Sequence, residues 1–169
     1  MIEYIKHNNL EPQQVILTHG HLDHIAGLST LRAIWPTVSI LIHEAERQFP
    51  SDPMLNLSAM LQQPIIAPNP TDTIEHGQVL TLAGIDFQVK HTPGHSPGGI
   101  TLYQPGEAVA IVGDTLFAGS IGRHDFPTSD GPLLMKSIHE QLMTLPDDTR
   151  VLAGHGPDTT IIEERHHNP

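Results

Sequence analysis

The segment THGHLDH at residues 18–24 places four metal-ligand side chains, His19, His21, Asp23 and His24, within six positions. Imidazole nitrogen and carboxylate oxygen are donors that suit zinc and its neighbours. His19 and His21 stand two residues apart, so in extended chain both turn to one side. Gly20 between them is expected to let the backbone bend close to a metal. Asp23 and His24 fall where a helix should begin, after the chain has turned, and so can face a second position nearby. Asp23 alone is equally well read as an acid at a helix N-terminus. The four together are not explained by random scatter of the chain's 13 histidines.

Three further positions share one local pattern, a ligand-type residue beside glycine directly after an expected strand. They are His95 in TPGHSPGG (92–99), Asp114 in GDT (113–115) and His155 in GHGP (154–157). Taken singly, each is a turn residue more often than a ligand. Strand ends that converge on one edge of a sheet are, however, where α/β folds place ligands. Three such turns beside a four-donor motif point to one shared centre.

The elements that must position these residues are legible in outline. Residues 1–9 read as the end of a helix, with Ile2, Tyr4 and Ile5 on one face and Asn8 and Asn9 at its close. A short buried strand is expected over 15–17, a helix over 22–35 that stops before Pro36, and a strand over 38–42. Residues 50–70 hold five prolines and read as a long surface-hugging loop with room for one short helix, either functional or a simple crossover. Strands over 79–82 and 85–91 flank the turn Ala83-Gly84, and strands over 100–103 and 108–112 flank Pro105-Gly106. A helix over 132–145, a short strand at 151–152 and a helix over 160–165 complete the pattern. Alternating strands and helices make the class α/β (α+β) with layers, in a single domain over 1–169.

Bulk properties exclude several classes. Eight Lys and Arg against 19 Asp and Glu give a formal net charge of −11, which opposes a nucleic-acid partner. A bound pair of divalent cations would offset about +4 of this locally. There is no cysteine, hence neither a disulfide framework nor a thiol nucleophile. No apolar run is long enough for a membrane span, and the start MIEYIKHNN lacks a signal-peptide pattern, so a cytoplasmic location is the default expectation. Nothing in the sequence points to an oligomeric state.

The string His19-x-His21-x-Asp23-His24, followed by His95, Asp114 and His155, resembles the signature of the metallo-β-lactamase superfamily. The resemblance runs over essentially the whole chain. TPGHSPGG, GDTLFAGSIGRHD, GHGP, the loop phrase SDPMLNLS and the ending with Thr159, Thr160, Glu164, Asn168 and Pro169 resemble the short bacterial glyoxalase II-like, or hydroxyacylglutathione hydrolase-like, hydrolases. The resemblance implies a four-layered αβ/βα sandwich with its site at one edge. It assigns one metal to His19, His21 and His95, a second to Asp23, His24 and His155, and Asp114 to both. Two divalent ions are implied, zinc first, with iron or manganese as alternatives.

Two metals about 3.5–4 Å apart can lower the pKa of a shared water toward about 7, which would supply a nucleophile without serine or cysteine. Asp23 and Asp114 are then the catalytic carboxylates, Asp23 also steering the proton. A thiol leaving group, with pKa about 8.5, departs without a placed acid, whereas an amide nitrogen needs one, and no dedicated acid is evident. A small-molecule thioester or ester is therefore the expected substrate. Arg123 could clamp a substrate carboxylate, although an ion pair with Asp125 is the favoured alternative. Thr18 and Thr115 are candidate supports for the ligands by position alone. His91 and His124 are expected to be structural or solvent-facing, His166 and His167 a solvated tail, Tyr103 and Trp35 core aromatics; His43, His76 and His139 receive no role.

Two departures from the resemblance qualify it. Similar hydrolases begin with several strands before the first helix, so the sandwich is expected to lack its first strands, to be incomplete at its N-terminus, and to be less stable than a version extended upstream. Longer glyoxalase II enzymes also append helices that contact glutathione, which makes the glutathione thioester an inherited expectation. The competing readings are an iron-dependent persulfide dioxygenase and an inactive fragment or binding module. A nuclease and an exported β-lactamase fit the charge and the start of the chain less well.

Overall fold

The computed structural model describes residues 2–168, and the chain divides into two compact units, Met1–Thr73 and Ile74–Pro169. Met1 and Pro169, named in the sequence reading, lie outside the described residues.

The first unit opens with α1 (Ile2–His7), which buries none of its residues; Tyr4 is 67% exposed. Six residues make fewer than two turns, too few for a helix to be stable without packing. Then come β1 (Gln14–Ile16), α2 (Leu22–Ile25), α3 (Leu28–Ile34), β2 (Ser39–His43) and, at the junction, β3 (Asp72–Ile74). The sheet order is β1-β2-β3, with β1 and β2 parallel in the register Gln14↔Ser39 to Ile16↔Leu41. The single helix expected over 22–35 is two, broken at Ala26-Gly27. Glycine is a poor helix former, and Gly27 serves as the N-cap of α3. The apolar faces still meet: Ile25 and Leu28 pack with Leu17, Ile40, Ile42 and Ala67 in one buried cluster.

The proline-rich stretch after β2 is a fixed loop with a single short 3₁₀ turn, Phe49–Ser51, near its start. Its anchor is polar. Asn56 Nδ2 donates to the Ile65 carbonyl (3.0 Å), Ser58 Oγ accepts from Ile65 N–H (2.8 Å), and both side chains are fully buried.

The second unit holds a six-stranded sheet, β11-β10-β7-β6-β5-β4. Its strands are β4 (Val79–Leu82), β5 (Ile85–His91), β6 (Ile100–Gln104), β7 (Val109–Gly113), β10 (Arg150–Ala153) and β11 (Thr159–Thr160). A separate two-stranded hairpin, β8 (Leu116–Phe117) and β9 (Ser120–Ile121), interrupts this run. The β4–β5 hairpin turns on Ala83 and Gly84, both at positive φ (50° and 82°), as a two-residue hairpin turn requires. β7 and β10 are parallel neighbours. Two helices accompany the sheet, α4 (Gly131–Ser137) and α5 (Ile161–His167). Asp130 caps α4 by accepting from Leu133 N–H. The helix expected to reach residue 145 widens into a π-helical turn at Ile138–Leu142, where Met143 N–H bonds the Ile138 carbonyl (2.9 Å). Leu134, Ile138, Leu142 and Ile161 pack with Tyr103, Ala110, Val112 and Val151 as the core of this unit. No helix among the described residues is long and apolar enough to cross a membrane.

Candidate metal centre

In the first unit the ladder of β1 is extended by Leu17 N–H bonding the Leu41 carbonyl, and the chain then leaves the sheet at Thr18. His21 is the N-cap of α2, with extended backbone (φ −71°, ψ 157°), and its carbonyl accepts from His24 N–H. The Asn56 carbonyl on the anchored loop accepts from Leu22 N–H (2.9 Å), so the loop fixes the helix start that carries Asp23 and His24. The imidazoles gather: ring centroids of His19 and His21 lie 4.8 Å apart, edge to face, and those of His19 and His24 lie 4.0 Å apart. His19 and His21 are buried, while Asp23 is half exposed with its Oδ2 3.6 Å from His24 Nε2. Thr18 Oγ1 sits 3.3 Å from His19 Nδ1, the supporting place expected of it.

Packing also requires a glycine at Gly20. A Cβ there would lie 2.5 Å from Phe49 Cβ and 3.2 Å from Glu46 Oε2. The glycine is needed because the 3₁₀ turn after β2 presses on it. Its N–H donates to the carboxylate of Glu46, which is fully buried. Glu46 has no local sequence signal; only the packing of β2 brings it under the motif.

In the second unit His95, Asp114 and His155 meet because three strands end at one edge. Gly113 closes β7 at φ 55°, Gly154 follows β10, and Gly154 N–H bonds the Gly113 carbonyl (2.8 Å). That bond sets the residues after each glycine, Asp114 and His155, side by side. His95 arrives on the loop after β5, closed by Thr92 N–H to the Gly99 carbonyl (2.7 Å). The Thr92 hydroxyl, 3.2 Å from Thr115 Oγ1, ties this loop to the Asp114 turn, which gives Thr115 its supporting role. One carboxylate oxygen, Asp114 Oδ2, then faces two imidazoles, His155 Nε2 at 3.4 Å and His95 Nε2 at 3.7 Å.

Both distances exceed the usual N–H···O range of about 2.7–3.2 Å. They fall near the edge of a tetrahedron whose metal–ligand legs are about 2.0–2.2 Å, an edge of roughly 3.3–3.6 Å. The tautomer fits as well. His95 Nδ1 lies 2.7 Å from the Arg123 carbonyl, which can only accept, so Nδ1 carries the proton and the Nε2 lone pair is directed toward Asp114. In the second unit donor types, spacing and the His95 tautomer fit a divalent metal; in the first, the donor types and the gathered imidazoles do.

Arg123 contributes to this arrangement through its main chain. Its side chain forms an ion pair with Asp125 and lies over the Phe126 ring, 4.4 Å from the centroid. The hydrogen bond to Asp125 raises the guanidinium pKa above its usual value, and the same bond holds the Asp125 carboxyl below the usual carboxylate value. The observed state is therefore the ion pair weighed against the substrate clamp. The loop that follows braces His95: Phe126 meets its ring edge-on (5.9 Å) and Ser129 Oγ donates to its carbonyl (2.6 Å). His91 is structural as expected, its Nε2 2.9 Å from the Pro97 carbonyl. Phe126 and Ser129 were not singled out by sequence, because a phenylalanine and a serine in a loop carry no chemical signature of their own.

Comparison with known proteins places these donors in a family. The hydroxyacylglutathione hydrolase GloC of Haemophilus influenzae is 35% identical over all of this chain and 80% of its own length. The solved structure of the BLEG-1 B3 metallo-β-lactamase is 40% identical, with a TM-score of 0.93 over 99% of this chain and 81% of that one. That of TTHA1623 in a di-iron-bound form is 35% identical, with a TM-score of 0.88 over 99% and 82%. The fold is thus the metallo-β-lactamase fold, a mixed α/β architecture. The sequence profile of that family matches residues 2–155, an interval that takes in every donor from His19 to His155, and the chain belongs to the metallo-β-lactamase superfamily.

Proposed function

We propose that the chain is a thioester hydrolase whose two donor groups act together on a pair of divalent metal ions. In this reading His19, His21 and His95 hold one ion, Asp23, His24 and His155 the other, and Asp114 contacts both. The observation that carries it is the single Asp114 oxygen facing both His95 and His155 at metal-edge distances, as a bridging carboxylate would. When bound, such a pair acidifies a water toward neutral pKa and polarises the carbonyl under attack.

The protein's own residues do the rest. The Arg123 carbonyl keeps the proton on His95 Nδ1, and Thr18 buttresses His19 at the corresponding nitrogen. Asp23, half exposed, would take up the proton of the attacking water at its carboxylate. The leaving group needs no protein acid if it is a thiolate, with a pKa of about 8.5. Likeness to a hydroxyacylglutathione hydrolase supports the thioester, and the acyl-glutathione class is the first substrate to test. A second reading, β-lactam hydrolysis, is favoured by the likeness to the B3 enzyme. Zinc is the first metal proposed, and likeness to a di-iron form makes iron the alternative.

The test is metal analysis of the purified chain followed by a panel of acyl-glutathione thioesters, simple esters, a β-lactam and a persulfide with oxygen uptake recorded. Thioester turnover exceeding all others supports the proposal. Lactam turnover or oxygen consumption in its place would overturn it in favour of the corresponding alternative.

A further inference from the structure

The residues Thr159, Glu164 and Asn168, near the end of the chain, hold no metal in the proposed function. Their geometry nevertheless converges on one point. Glu164, on the inner face of α5, is 4% exposed, and its carboxylate is fully engaged. Oε1 accepts from the Thr159 hydroxyl at 2.6 Å. Oε2 accepts from Gly119 N–H at 2.9 Å and from Asn168 Nδ2 at 2.6 Å. Asn168 Nδ2 also reaches the Ser120 carbonyl (3.0 Å) and the Phe117 carbonyl (3.4 Å).

Gly119 is the tip of the β8–β9 hairpin, turned at φ 69°. The hairpin follows Asp114 directly, and the ring of its Phe117 meets the His155 ring nearly at right angles with centroids 6.2 Å apart. Two short strands of two residues each do not hold a hairpin in place. A buried carboxylate that gathers three donors does, because releasing any of them would leave a buried polar group unsatisfied.

We propose that Glu164, assisted by Asn168 and Thr159, is a positioning residue that clamps the β8–β9 hairpin and thereby fixes Phe117 against His155. The inference rests on the proposed metal reading for its consequence, but its geometry stands without metal. Hydrogen-bond acceptance, not charge, carries the clamp. In Glu164→Gln the amide oxygen can still accept from Gly119 and Asn168, while the amide nitrogen donates to the Thr159 hydroxyl, which can reverse its role. Glu164→Ala has no such substitute.

The experiment uses the full chain, metal-free and then zinc-loaded. The NMR shifts of the His155 imidazole report the ring current of Phe117, calibrated by Phe117→Ala, which removes it. Zinc affinity is measured by competition with a chelator. The clamp predicts that Glu164→Gln keeps the wild-type His155 shifts and zinc affinity. Glu164→Ala should move the shifts toward those of Phe117→Ala and weaken zinc binding about tenfold or more, the range for groups that support ligands. Asn168→Ala, which leaves two of the three donors in place, should fall between them and serves if Glu164→Ala does not fold. Wild-type shifts in Asn168→Ala and Glu164→Ala would overturn the clamp, as would a Glu164→Gln variant as impaired as Asn168→Ala or worse. The shifts are read without metal, so a wild-type chain that binds no zinc defeats the proposed function while the clamp is still judged on its own evidence.

Discussion

Gly122 offers a direct check on how the Asp114 turn is built. A Cβ at this position would lie 1.8 Å from the Asp114 carbonyl oxygen and 3.3 Å from His95 Cβ. The first contact is with backbone, which cannot rotate away, and the second blocks retreat toward the His95 loop. Gly122 N–H meanwhile bonds the Thr115 carbonyl (3.3 Å), tying the chain to the same turn. Gly122→Ala must therefore move Asp114 itself. Overpacking of this kind costs about 1–3 kcal/mol, and a clash with backbone belongs at the upper end. At about 2–4 °C per kcal/mol for a chain of this size, a 3 kcal/mol cost lowers Tm by roughly 6–12 °C. The control is Gly27→Ala, where a Cβ meets nothing within 4 Å and φ is −85°; Gly27 is the N-cap of α3, so the cost should not exceed that of a weakened cap, about 1 kcal/mol. Thermal melts of the metal-free proteins, read by circular dichroism, give both numbers, and zinc titration of the same samples should show weaker binding for Gly122→Ala alone. A Gly122→Ala protein that melts within 2 °C of wild type would refute the close approach of the two segments.

Two other perturbations separate the parts of the centre. Ser129→Ala removes the 2.6 Å bond to the His95 carbonyl; a cost of about 1 kcal/mol in stability and about tenfold in zinc affinity is expected, by melts and chelator competition. The Arg123–Asp125 pair sets a pH dependence of known sign. Arg123 holds the Asp125 carboxyl below its unfolded value, so the pair's contribution is present above about pH 4, the usual carboxylate value, and is lost as pH falls through the lower folded value. Asp125→Asn should erase that acid-side loss in melts between pH 2 and 5, and since both side chains are solvent-exposed, added salt should shrink it in the wild type.

The candidate donors could be singled out in the sequence because their chemistry is local. THGHLDH needs no tertiary information, and the glycines beside His95, Asp114 and His155 mark strand ends in the sequence itself. The Ala83-Gly84 hairpin was legible for the same reason, since its turn requires the positive φ that Gly84 supplies. What escaped depends on contacts between distant segments. Nothing local distinguishes Ala26-Gly27 as a helix break from a tolerated glycine, and the two-residue strands β8, β9 and β11 have no periodicity to detect. Gly20 could be read as a close approach but not as one toward Phe49 and Glu46, because those residues reach it only once β2 and the turn after it have packed. Arg123 shows the same limit: its side chain invited a role in binding, while the structure uses its carbonyl to set the tautomer of His95.

Metal stoichiometry tests most directly whether two metals share Asp114. Equilibrium dialysis against zinc, with the bound metal counted per chain, should give two equivalents for the wild type and at most one for Asp114→Ala. A wild-type chain that retains none, or an Asp114→Ala chain that still retains two, would contradict that sharing.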